Sequence, residues 1–97
     1  MEIEDIKKEV AKILKSELEG THFSAFFFGS RVTGTHTKTS DLDVGIEGDA
    51  PVPEPLFWSI KARVASIPSL YTIDVVDFSL LGEDFKKVAK SKVERIV

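Results

Sequence analysis

Ile3, Ile6, Val10, Ile13, Leu14 and Leu18 recur at three- and four-residue intervals with charged residues between them. That is the stripe of an amphipathic helix, and it predicts one over residues 3–18. Gly20 follows where a helix commonly ends on a left-handed residue. The pattern then changes. His22 to Phe28 is short, aromatic-rich and bounded by Gly20 and Gly29, which predicts a buried strand. Residues 29–40 carry Gly29, Gly34 and many Ser and Thr, the chemistry of a loop. From Asp41 to Ile46 the chain alternates, with Leu42, Val44 and Ile46 on one face and Asp41, Asp43 and Gly45 on the other, as in a half-buried strand.

After a turn-rich connector over residues 48–55, Leu56, Ile60, Val64 and Ile67 form a second helical stripe. Pro53 or Pro55 suits its first turn, and Pro68 stops it. Tyr71 to Phe78 is β-branched and aromatic and predicts a third strand. Ser79 can cap a last helix carrying Leu81, Phe85, Val88 and Ala89. Residues 93–97 fit either a continued helix or a short strand. The order α-β-β-α-β-α predicts an α/β (α+β) protein, a small sheet with helices packed on it. The link between the first two strands is too short for a helical crossover, so that pair should be antiparallel. With no linker or repeat to divide it, the chain reads as one domain, residues 1–97.

Composition sharpens this picture in a few places. A hydrophobic content of 42% supplies one core. A net charge of −3 argues against a general nucleic-acid binder, which needs a basic surface. No apolar run is long enough to span a membrane, and the charged N-terminus has no signal-peptide character, so a cytoplasmic location is expected. The chain has no Cys, Asn or Gln. The lack of Cys removes disulfides and thiolate metal sites. The loss of all three thermolabile types points to a thermophilic source. A reversible melting midpoint below about 60 °C would contradict that expectation.

The carboxylates raise a chemical question. Asp41 and Asp43, two apart on a strand, point to the same side. Like charges so close raise each other's pKa and are unfavourable, unless a cation lies between them. Hard cations such as Mg²⁺ take oxygen ligands of this kind together with substrate phosphates. Asp74 lies mid-strand among Ile73, Val75 and Val76, where burial without a partner would be costly. If the second and third strands are neighbours, Asp74 completes a triad able to hold two metal ions, Mg²⁺ or alternatively Mn²⁺. Read alone, Asp-Leu-Asp is as consistent with a turn or a solvated strand edge.

Gly29 ends the aromatic strand and permits close backbone approach to a ligand, and Ser30 offers a hydroxyl and an N–H for phosphate oxygens. Gly-Ser by itself is also a common turn dipeptide. Gly29 and Gly34 match half of a phosphate-binding P-loop, but Thr35 and His36 stand where that motif needs Lys and Ser or Thr.

Taken together, GSRVTGTHTKTSDLDV resembles the signature of the polymerase-β nucleotidyltransferase superfamily: Gly-Ser, ten residues, then Asp-x-Asp. It is most similar to the minimal nucleotidyltransferases. Gly29, Ser30, Arg31, Gly34, Ser40, Asp41 and Asp43 match, and Asp74 matches the acid on a later strand. Val32 and Thr33 depart from the commoner Ala-Arg. The resemblance implies a mixed sheet with helices packed on it. It also implies transfer of a nucleoside monophosphate, AMP from ATP, to an acceptor hydroxyl. Asp41, Asp43 and Asp74 would be the catalytic and metal-binding residues, and Gly29, Ser30 and Arg31 would bind the nucleotide. Such proteins act as antitoxins to a helical HEPN-type partner, which would present the acceptor. The resemblance also admits a module that neutralises its partner by occlusion, and a small-molecule nucleotidyltransferase of the aminoglycoside type. It leaves homo-oligomerisation open. His36 and Lys38 are further candidates for phosphate contact. Trp58, off the stripe of the second helix, is a candidate for an interface. Lys86, Lys87, Lys90 and Lys92 read as a solvated face.

Overall fold

A computed structural model of the protein describes residues 2–29, 42–69 and 71–97. Helix α1 (Ile3–Leu18) buries Ile6, Val10, Ile13, Leu14 and Leu18, the stripe anticipated from the sequence. Gly20 follows it at φ 78°, in the left-handed region that glycine enters without a Cβ penalty. Strand β1 (Ser24–Phe28) pairs antiparallel with β2 (Leu42–Glu47). Helix α2 (Glu54–Ala65) then crosses over to β3 (Ile73–Asp77), which pairs parallel with β2. A 3-10 turn (Phe78–Leu80) and helix α3 (Glu83–Ala89) lead to β4 (Glu94–Arg95), antiparallel to β1. Among the described residues the strand order is β3-β2-β1-β4, a mixed sheet with three helices, as the α+β expectation requires. No helix among the described residues is long and apolar enough to cross a membrane.

Alternation divides the sheet into two unlike faces. Ala25, Phe27, Leu42, Val44 and Ile46 share the main core with α1 and with Val52, Ile60 and Val64. The opposite face carries Phe26, Phe28 and Phe78 in a second cluster. Its rings meet edge-to-face at centroid separations of 6.2, 4.9 and 5.0 Å, the arrangement aromatic quadrupoles favour. Gly45 makes room for them. A Cβ at that position would lie 2.6 Å from the Phe26 ring and 2.7 Å from the Phe78 ring.

The C-terminal third departs from the sequence reading. The third strand begins at Ile73 rather than Tyr71, and residues 94–95 pair as a short strand, one of the two readings the sequence left open. Ser79 does not cap the last helix. It lies in the 3-10 turn, and α3 starts after Gly82 with no side-chain cap. Nor is the predicted apolar stripe of α3 buried, since Phe85 is 56% and Val88 75% exposed. Of this two-turn helix, Ala89 packs against the cluster of Phe26, Phe28 and Phe78.

Asp77 holds the connectors together. It is buried, at 7% exposure, and accepts hydrogen bonds from Val52 N–H (2.9 Å), Ser79 N–H (3.0 Å) and Ser79 Oγ (2.6 Å). Asp77→Ala is expected to cost about 2–3 kcal/mol of stability, because it strands a buried donor along with the turn. Urea denaturation checks this. A loss under about 0.5 kcal/mol, the usual effect of a surface change, would mean that the connector does not depend on Asp77.

Candidate active site

The register of the sheet positions the acids. Phe28 of β1 lies opposite Asp43 of β2, and Asp43 lies beside Asp74 of β3. Directly paired residues project from the same face. Phe28, Asp43 and Asp74 therefore form one row across three adjacent strands, on the face opposite the α1/α2 core. Neighbouring strands run about 4.8 Å apart, so the two carboxylates project side by side. The next row is Phe26, Gly45 and Val76. The acids thus border an aromatic floor, with Asp43 half-buried and Asp74 exposed. The concern that a mid-strand Asp74 would be buried does not apply. Among the described residues β3 is an edge strand, and Asp74 is exposed on it.

Gly29 has a geometric reason to be glycine. Its φ is 83°, and Asp43 Oδ2 occupies the space a Cβ would need. The backbone at the end of β1 is thus packed directly against the Asp43 carboxylate. Of the sequence-predicted site residues, Gly29, Asp43 and Asp74 are brought together here. Asp41, Ser30 and Arg31 lie outside the described residues, as do His36 and Lys38.

No group of three or more His, Cys, Asp or Glu among the described residues could hold a metal ion. The described part of the site supplies two hard-oxygen ligands, Asp43 and Asp74, on one open face. That donor set suits Mg²⁺ or Mn²⁺, which would neutralise phosphate charge there. Gly45 is a residue that sequence reasoning passed over. A glycine inside an alternating strand signals a close approach, here of Phe26 and Phe78, which pack beside the acid row.

Away from this row, Trp58 is 65% exposed, with Lys61 Nζ 5.6 Å from its ring centroid. Lys90 pairs with Glu47 at 2.6 Å, and Lys86 with Glu83 at 3.5 Å. These are surface ion pairs of small energetic weight.

Comparison with known proteins gives the family and the fold. The family described as nucleotidyltransferase domain matches residues 7–96. The probable protein adenylyltransferase MntA of Haemophilus influenzae is 30% identical over 88 residues, covering 89% of this chain and 77% of that protein. A chain in a crystal structure of a toxin–antitoxin with AMP-PNP superposes with a TM-score of 0.71 at 17% identity, over 94% of this chain and 72% of that one. A chain in the structure of a tri-AMPylated Shewanella oneidensis HEPN toxin in complex with MNT antitoxin superposes with a TM-score of 0.66 at 14% identity, over 97% and 71%. At these identities the structural likeness speaks to the fold.

Proposed function

The chain belongs to the nucleotidyltransferase domain family, and from that premise we propose that it transfers AMP from ATP to a hydroxyl of a HEPN-type toxin, acting as its antitoxin. The observation that carries the reading is the shared row of Asp43 and Asp74, with the Gly29 backbone packed on Asp43. In this assignment Asp41, Asp43 and Asp74 hold the divalent ions, and Asp74, at the open side, is nearest an incoming acceptor. Gly29, Ser30 and Arg31 hold the phosphates. Mg²⁺ supplies charge neutralisation on the donor. The protein's own groups fix the donor against the row and receive the acceptor's proton. Residues 1–97 are proposed to act as one catalytic domain, in the cytoplasm. The similarity to a protein adenylyltransferase supports a protein acceptor, and the toxin–antitoxin structures support its class.

The test combines this protein, a cognate HEPN-type toxin, ATP labelled at the α-phosphate, and Mg²⁺. Expected is a toxin carrying covalent AMP, with pyrophosphate released in equal amount and toxicity relieved. Relief of toxicity with no label on the toxin would replace catalysis with occlusion. No label on any acceptor with any nucleoside triphosphate would overturn the proposal.

A further inference from the structure

The two edges of the sheet are built differently. β4 closes one side with only two residues, both charged, Glu94 and Arg95. That is a protected edge of the kind proteins use to prevent unwanted pairing. β3, on the other side, is five residues long and contains no Lys, Arg or Pro. Its acids do not guard it. Asp74 belongs to the catalytic row, and Asp77 is bonded to Val52 and Ser79. Among the described residues, no strand pairs with its outer side.

The phase of β3 is fixed by the hydrogen bond from Leu42 N–H to the Thr72 carbonyl, at 2.9 Å. In a parallel ladder, alternate residues turn both main-chain groups to the same neighbour. Thr72, Asp74 and Val76 therefore face β2, and the N–H and C=O of Ile73 and Val75 point outward. Beside this edge, on the helical side of the sheet, lies a groove of about 270 Å³ lined by Lys61, Val64, Ala65, Ile67, Tyr71 and Val75.

We infer that β3 receives an extended segment of the acceptor protein as an added strand, with the acceptor hydroxyl residue opposite Asp74 and its apolar neighbours in the groove beside α2. The inference rests on the nucleotidyl-transfer reading above. Strand addition uses main-chain hydrogen bonds for affinity and alternate side-chain pockets for specificity. The alternation of the added strand assigns its residues. One residue projects onto the face of Phe28, Asp43 and Asp74, extending that row by one strand. The residues on either side of it project to the opposite face, toward the groove. The preferred acceptor is therefore a hydroxyl residue flanked by apolar ones. In the transfer step its oxygen bonds to the α-phosphorus of the nucleoside triphosphate. The bond from that phosphorus to the α–β bridging oxygen breaks, and pyrophosphate leaves with the electron pair. The hydroxyl proton passes to a carboxylate of the row or to water.

The probe is a soluble nonapeptide with a central tyrosine between alternating valines and lysines at both ends. Hydrogen exchange without nucleotide should show the Ile73 and Val75 amides slowed about tenfold or more by saturating peptide, through the new ladder bonds. Val75→Pro removes an outward N–H without touching the β2 ladder, and Ala65→Trp fills the groove. Each should lower kcat/KM for AMP transfer to the peptide about tenfold, mainly through KM, with Mg²⁺–ATP binding unchanged. If Val75→Pro fails to fold, Ala65→Trp decides. Unprotected Ile73 and Val75 amides, or wild-type transfer by the folded variants, overturns the added strand. A wild-type protein that binds no Mg²⁺–ATP overturns the transfer reading instead, and amide protection still decides the fate of the edge.

Discussion

Asp74→Ala is expected to reduce AMP transfer by about 10³-fold or more, some 4 kcal/mol in the barrier, while leaving the fold intact. The separation of the two effects follows from position. Asp74 is exposed on an edge strand and shares its row with Asp43, so its loss removes a like charge and no core contact. Surface substitutions of that kind usually change stability by no more than about 0.5 kcal/mol. Asp43→Ala should lose transfer to the same extent. Rates with α-labelled ATP, alongside urea denaturation of each variant, check the pair. Transfer retained within tenfold in Asp74→Ala would remove it from the catalytic row. Toxin binding retained by both variants, with toxicity no longer relieved, would tie neutralisation to the chemistry.

Gly29→Ala is the second large effect, and here stability and activity should fall together. A non-glycine residue held at φ 83° costs about 1–2 kcal/mol in backbone strain. The new methyl would also take the space of Asp43 Oδ2 and push the carboxylate out of its row. Gly20→Ala is the matched control. Its φ of 78° imposes similar strain, but no atom lies within 4 Å of the added Cβ. The difference between the two variants isolates the displacement of Asp43. Gly20→Ala should lose about 1–2 kcal/mol and keep full activity, whereas Gly29→Ala should also lose transfer by about 10²-fold or more. Calorimetric melting and labelled transfer measure both. Equal activity in the two variants would mean that the Asp43 carboxylate tolerates the methyl and that Gly29 serves only the turn.

Where local pattern coincided with burial, the sequence could be read directly. Six apolar residues at helical spacing specified α1, and five of them are buried as a stripe must be. Alternation through Leu42, Val44 and Ile46 put Asp43 on the face away from the core, because side chains on a strand can only alternate. The short link in sequence between the first two strands pointed to an antiparallel pair, and β1 and β2 pair so. The motif of Gly29, Asp43 and Asp74 pointed to one site, and the register unites them. Asp41, Ser30 and Arg31, read from the same motif, fall outside the described residues.

The tertiary structure decided what depends on neighbours distant in sequence. Whether Asp74 was buried or open turned on the strand order, which puts β3 at the edge, and no local pattern encodes strand order. The stripe of α3 looked like a core face, yet Phe85 and Val88 stay exposed and only Ala89 of that helix packs on the cluster that Phe26, Phe28 and Phe78 form from two other elements. Asp77 is a buried acceptor for Val52, twenty-five residues away, a contact that no local pattern encodes. Periodicity fixes which way a side chain points along its own element. Only packing fixes what it points at, because that contact is set by the whole chain closing on itself.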